Sequence, residues 1–98
     1  MDDFDAAGLD EVIHGKLRLG VMAYLSSVES ATFAELKAKT GATDGNLSVH
    51  LRKLEEAGYV EVDKRFVGRR PQTRASLTTV GRKAWLAYLD QMKALFGD

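Results

Sequence analysis

Few side chains in this sequence have the types and spacing that bond-making chemistry requires. The histidines are His14 and His50, too far apart for a local metal motif, with no HExxH or His-rich tract and no Cys anywhere. Disulfides and thiolate metal sites are therefore excluded, and neither a metal nor another cofactor is expected. The remaining Ser, Thr and carboxylates show no spacing for a catalytic triad, a phosphate-binding loop or a paired acid and base, so an enzyme is not expected. The conspicuous chemistry is electrostatic. Lys64, Arg65, Arg69, Arg70, Arg74, Arg82 and Lys83 follow one another with no acidic residue between them, whereas Asp2, Asp3, Asp5, Asp10 and Glu11 make the N-terminus acidic. A basic segment held on one face concentrates polyanions there, even when the whole chain is neutral.

The chain is neutral overall: its 98 residues carry 14 basic and 14 acidic side chains, with 45% hydrophobic residues and one Pro. One domain, residues 1–98, is expected. A chain of this length buries about 60 to 65% of the surface exposed when unfolded, so a single thin core is feasible and oligomerisation would reinforce it. No apolar run approaches a membrane span, and the start of the chain lacks the basic and apolar regions of a signal peptide. Residues 1–8 read as a flexible acidic stretch. These features predict a cytoplasmic protein that has no membrane partner.

The elements that must position the basic segment follow from period and caps. Leu9, Ile13, Leu17, Val21, Tyr24, Leu25 and Val28 recur at helical spacing, with a kink or break expected near Gly15. Thr32-Phe33-Ala34-Glu35 fits a capping box and opens a short helix to about Lys39. Thr40-Gly41-Ala42 ends it, and Thr43 with Asp44 offers the next cap, for a helix from Asp44 to Ala57 closed by Gly58. The period then changes to two. Val60, Val62 and Phe66 alternate as in a half-buried strand, Gly68-Arg69-Arg70-Pro71 supplies a turn, and Thr73 to Leu77 returns. Thr78 caps a last helix over residues 79–96. The predicted fold is mainly α with a small β-hairpin, in the order helix, helix, helix, hairpin, helix: a helix-turn-helix followed by a wing.

The blocks that carry this order are Phe33-Ala34-Glu35-Leu36, the run Gly45-Asn46-Leu47-Ser48-Val49-His50-Leu51-Arg52-Lys53-Leu54-Glu55-Glu56-Ala57-Gly58-Tyr59-Val60, and Gly68-Arg69-Arg70-Pro71-Gln72-Thr73 leading to Leu77-Thr78-Thr79-Val80-Gly81-Arg82. With them the chain resembles the small winged-helix transcriptional regulators related to the MarR and ArsR types, from about Leu9 to Leu95. The resemblance implies DNA contacts at Asn46, Ser48, His50 and Arg52. Fuller MarR-type chains carry additional helices that frame a ligand pocket. This chain is shorter, which weighs against a small-molecule effector.

The residues themselves give a parallel reading. Leu47, Leu51 and Leu54 mark the buried stripe of the third helix, so Gly45, Asn46, Val49, Arg52 and Lys53 lie opposite, flanked by Ser48 and His50. Such a helix enters the major groove, where Asn pairs with adenine, Val meets a thymine methyl and Ser reaches a phosphate or a base. His50 could equally be a packed, hydrogen-bonded side chain. At the wing, Arg69 and Arg70 reach the minor groove or its phosphates, with Lys64, Arg65, Gln72 and Arg74 on the flanks. The terminal helices carry wide apolar stripes: Leu9, Ile13 and Leu17 in the first, and Trp85, Tyr88, Leu89, Met92, Leu95 and Phe96 in the last. Packing within one chain is the ordinary explanation. Because both edges of both helices are apolar, a symmetric homodimer is predicted, residues 79–96 forming its dimerisation helix.

The sequence therefore predicts a dimeric, sequence-specific transcriptional regulator that binds double-stranded DNA, with residues 44–57 as recognition helix and 64–74 as basic wing. The alternative is a winged helix that docks an acidic protein partner through the same hairpin.

Overall fold

A computed structural model describes residues 9–96; the acidic stretch 1–8 lies outside them. The elements run α1 (Lys16–Leu25), β1 (Ala31–Thr32), α2 (Phe33–Thr40), α3 (Asp44–Glu56), β2 (Val60–Val67), β3 (Arg70–Leu77) and α4 (Thr79–Leu95). This is the winged helix-turn-helix architecture, mainly helical, with one small antiparallel sheet. The sheet is larger than the expected hairpin by one short strand. Its order is β1-β3-β2, with Ala31 opposite Ala75 and Thr32 opposite Arg74.

The apolar stretch from Leu9 to Val28 is interrupted as expected, a turn preceding a helix that ends at Leu25. The break falls at Gly15, which takes an extended conformation at the N-cap of α1. Before it, the Asp10 carboxylate accepts from the amides of Val12 at 2.8 Å and Ile13 at 3.3 Å, closing the turn that seats Leu9 and Ile13 in the core. The other oxygen of Asp10 accepts from the Tyr59 hydroxyl. That hydrogen bond, with burial and the Asp10 charge behind it, pushes the Tyr59 phenol up to about 12.

The capping box is present in full: the Glu35 amide donates to Thr32 Oγ1 at 3.0 Å and the Thr32 amide to Glu35 Oε1 at 2.7 Å. Gly41, at φ 72°, ends α2 in the left-handed conformation that glycine adopts without strain. The next cap is Thr43, whose side chain accepts from the Asn46 amide, while the adjoining Asp44 carboxylate meets Lys37 Nζ at 2.9 Å.

Leu36, Leu47, Leu54, Val21, Met22 and Leu25 form the centre of the core, closed below by Trp85 and Tyr88 of α4. Among the described residues no charged or polar side chain is buried. The two aromatic rings of α4 stack with centroids 5.9 Å apart. This packing corrects part of the dimer expectation. Leu9, Ile13, Trp85 and Tyr88 lie inside their own chain, so they offer a partner almost no surface. Leu17 and Met92 are half-buried, and only Leu89, Leu95 and Phe96 of the nine residues expected at a dimer interface are exposed.

The second correction concerns Phe66. Val60 is buried and Val62 half-buried as alternation predicts, but Phe66 is 74% exposed, because the hairpin extends past the core and nothing described packs on its outer half. The strands pair from Val60 opposite Leu77 to Val67 opposite Arg70, leaving a two-residue turn, Gly68-Arg69. Gly68 has φ 65° and among the described residues no non-glycine residue, Arg69 included, has positive φ, the pattern of a type II′ turn. Pro71 is accommodated because β1 reaches only Arg74 and Ala75, so its nitrogen, which has no hydrogen to donate, faces an open edge.

One contact joins α3, the wing and α4. Thr78 donates its amide to the Tyr59 carbonyl at 3.0 Å and its hydroxyl to the Gly58 carbonyl at 2.6 Å, and accepts from the Gly81 amide at 2.9 Å. The Tyr59 carbonyl comes so close to Gly81 that a Cβ there would stand 2.0 Å from its oxygen. Backbone cannot yield as a side-chain tip does. Gly81→Ala is expected to destabilise by about 2 kcal/mol, overpacking outweighing the better helix propensity of Ala. Gly45→Ala, with open space around its Cβ, is the control. Urea unfolding of both variants checks this: equal midpoints would exclude the steric argument.

Candidate nucleic-acid interface

The recognition surface begins with the way α3 is held. Leu47, Leu51 and Leu54 are buried, which turns Gly45, Asn46, Ser48, Val49, Arg52 and Lys53 outward, all of them exposed. The N-terminal half of this outer face bears small and short polar side chains, which leave the helix backbone open to close approach, and the second half bears cations. Asp44, at the start of the helix, has its carboxylate bonded to Lys37.

His50 departs from its neighbours. It is half-buried, and Arg18 of α1 places Nη1 at 2.7 Å from its Nδ1. The same guanidinium donates through Nε to the Val12 carbonyl at 2.6 Å and through Nη2 to the Glu11 carbonyl at 3.4 Å. Arginine has donors only, so Nδ1 of His50 is the acceptor and the ring proton sits on Nε2. Burial, followed by the charges of Arg18 and Lys53, holds the imidazole below its ordinary value. Arg18 is a site residue that sequence reasoning missed. Its signal was faint: a cation between Leu17 and Leu19, two residues after Lys16, at the start of an apolar stretch.

The hairpin divides the six residues expected on the wing into two groups. Lys64, Arg69 and Arg70 are exposed and have no ion-pair partner among the described residues. Arg65 is bonded to the Asp63 carboxylate through Nε at 2.9 Å and also through Nη2. Arg74 is half-buried and donates to Gln72 Oε1 at 3.0 Å and Ser30 Oγ at 2.8 Å, so Gln72 and Arg74 serve each other and the start of β1. Alternation accounts for the contrast between Lys64 and Arg65 but not for Arg70, which shares the face of Gln72 and Arg74 and stands free at the tip of the hairpin. Lys64 lies on the same face of β2 as Val60 and Val62, toward the core, whereas Asp63 and Arg65 share the opposite face.

Lys64 and Thr73 thereby form one wall of a groove whose other wall is α3, with Ser48, Arg52 and Glu55. The structure brings Ser48, Arg52 and Lys64 together along one groove, with Arg69 and Arg70 at the far end of the hairpin. Among the described residues no cluster of His, Asp and Glu could hold a metal ion, and no helix is long and apolar enough to cross a membrane.

The charge state of His50 is open to direct measurement. Its folded-state value is depressed, so the stability carried by the neutral ring is present above about pH 6.5 and is lost as pH falls through the depressed value. Imidazole NMR is expected to show His50 titrating below 6.5, with the midpoint rising in Arg18→Met. A midpoint unmoved by that substitution would show that burial alone sets the shift.

The chain is similar in sequence or in structure to several known proteins. An uncharacterized protein of Methanocaldococcus jannaschii is 36% identical over 85 residues, spanning 87% of this chain and 92% of its own length. The solved structure of a transcriptional regulator homologue from Pyrococcus horikoshii OT3 superimposes with a TM-score of 0.82 at 30% identity, covering 89% of this chain and 86% of the other. A structure from Enterococcus faecalis V583 placed in the MarR family gives a TM-score of 0.69 at 26% identity, covering 94% and 93%. The solved relatives are described as regulators of transcription, not as enzymes. Residues 17–96 match the family described as winged helix DNA-binding domain, and the chain belongs to that family.

Proposed function

We propose that this protein is a dimeric, sequence-specific transcriptional regulator that inserts α3 into the major groove and lays its wing along the adjacent minor groove. The observation that carries the reading is the continuity of the surface. The outer face of α3 meets the unpaired cations of the wing across the groove of Ser48, Arg52 and Lys64, and no described acidic side chain lies on the wing wall of that groove. Asn46, Ser48 and Val49 are the base-facing residues of this proposal. Arg52, Lys53, Lys64, Arg69 and Arg70 meet phosphates or the minor groove. Arg65, Gln72 and Arg74 shape the hairpin through the hydrogen bonds they already make. His50 acts from the flank, its Nδ1 committed to Arg18. The cytoplasm is the compartment that goes with this reading.

Dimerisation draws support from the outer face of α4. Leu86 is 56% exposed, Leu89 42% and Phe96 76%. At about 100° per residue these three fall within a sector of about 80°, an exposed apolar stripe that flanks the buried face of Trp85, Tyr88 and Met92. A symmetric contact through this stripe sets two recognition helices about 34–36 Å apart, one turn of duplex.

Selection from a random duplex library at about 0.15 M salt tests the reading, because nonspecific phosphate attraction is already weak there. Enrichment of an inverted repeat with half-sites one turn apart is expected. Recovery of unrelated sequences would turn the reading to a wing that docks an acidic protein. On the selected duplex, Arg69→Ala/Arg70→Ala is expected to weaken binding to all sequences and to lower the salt slope by about 2. Asn46→Ala is expected to cost about 1–3 kcal/mol at one base pair and to relax the preference there. An unchanged salt slope in the double variant would remove the wing tip from the contact.

A further inference from the structure

The wing tip carries an apolar feature that the proposed charge contacts leave unused. Phe66 is 74% exposed, and beside it Val67 is also exposed. The ring lies on the face of β2 that includes Lys64, two residues and so about 7 Å farther from the core, and it pairs across the hairpin with Pro71. Among the described residues it has no aromatic or cation-π partner. The side chains around it on that face are Lys64, Pro71 and Thr73, with Arg69 and Arg70 at the turn. The carboxylate nearest in sequence, Asp63, lies on the other face and is bonded to Arg65. Glu55 lies across the groove on α3.

An exposed ring with the unpaired Lys64 on its own face, Arg69 at the adjacent turn and Arg70 on the opposite face of the tip suits a partner that is anionic outside and apolar within. The duplex minor groove has that composition: phosphates on its rims and stacked bases at its floor. We propose that Phe66 enters the minor groove as a wedge, backed by Pro71, and partly unstacks one base step while Lys64, Arg69 and Arg70 hold the flanking phosphates. This rests on the DNA-binding reading above and adds to it a way of choosing sites. Side chains that unstack a step bend the duplex by about 20–90°, and pyrimidine–purine steps yield most easily. The wing thus selects for a deformable step without a hydrogen bond to any base.

The test uses the full chain and the selected duplex with 2-aminopurine placed in turn at each step flanking the recognition-helix contact. Binding of the wild type is expected to raise fluorescence at one step and at the same distance in the other half-site. Phe66→Ala is expected to weaken binding about tenfold and abolish the rise, with the salt slope and the thermal midpoint unchanged because the ring lies outside the core. Phe66→Trp is expected to keep both signals. Arg69→Ala/Arg70→Ala gives the complementary result, a lower salt slope. If wild type and Phe66→Ala bind equally with no rise, the wedge is wrong and the DNA-binding reading stands. If Phe66→Ala instead alters the sedimentation of the free protein, the ring contacts a second copy and the wedge is again overturned. If the wild type binds no duplex at this salt, both proposals fall together.

Discussion

The contact between Gly81 and the Tyr59 carbonyl is the constraint on which the rest of this molecule depends. Three elements end or begin at that point. Gly58, at φ 81°, turns the chain out of α3, Tyr59 leads into β2, and Thr78 starts α4. Thr78 links them by bonding both carbonyls of the outgoing turn while capping α4. A Cβ on residue 81 would meet the Tyr59 carbonyl at 2.0 Å, so the approach exists only because a glycine stands at the third position of the helix. The Leu-Thr-x-x-Gly sequence at 77–81 thereby acquires a mechanical meaning. It fixes the angle at which the hairpin leaves α3, and hence the spacing between the proposed major-groove and minor-groove elements.

A second set of polar contacts ties the N-terminal turn to the same frame. Asp10 closes its own turn and accepts from Tyr59, and Arg18 spans from the Val12 carbonyl to His50 in the middle of α3. Recognition requires a helix that presents its side chains within a fraction of an ångström, and propensity alone does not hold a 13-residue helix with Gly45 near its start. Three buried leucines seat one face, and the Arg18 bond fixes the flank. The commitment of His50 also narrows its chemistry, since a ring that accepts at Nδ1 offers only Nε2–H outward.

The local rules were legible in the sequence because each element announces itself within a few residues. The Thr32–Glu35 box, Gly41, Thr43 and the spacing of Leu47, Leu51 and Leu54 specify the helix-turn-helix, and the change to period two marks the hairpin. Non-local facts were not legible. β1 is two residues long and has no period of its own; it exists because Arg74 and Ala75 offer an open edge. The Arg74–Ser30 and Arg18–His50 bonds join residues distant in sequence, so the division of cations into paired and free could not be read beyond Arg65, whose partner Asp63 lies two residues away on the same strand face. The apolar stripes were real but ambiguous. Helical period marks Ile13, Trp85 and Tyr88 as needing cover without saying whether the cover is the same chain or another, and here it is the same chain.

The charge pattern determines what kind of recognition is open to such a molecule. With 14 cations and 14 anions the chain has no net field to draw in a polyanion from a distance, and at physiological salt a Debye length of about 8 Å screens what remains. Attraction begins only near contact. The internal pairing reinforces this, since Asp44 takes Lys37 and Asp63 takes Arg65, leaving Arg52, Lys53, Lys64, Arg69 and Arg70 as the unneutralised group along α3 and the wing. A strongly basic domain would hold any duplex and separate sites only by small differences. A neutral chain with one local cationic surface gains little from nonspecific phosphates, so in the proposed complex most of the affinity would come from fit: the angle set by Gly81, the flank held by Arg18, and the deformability of the step proposed to meet the wing.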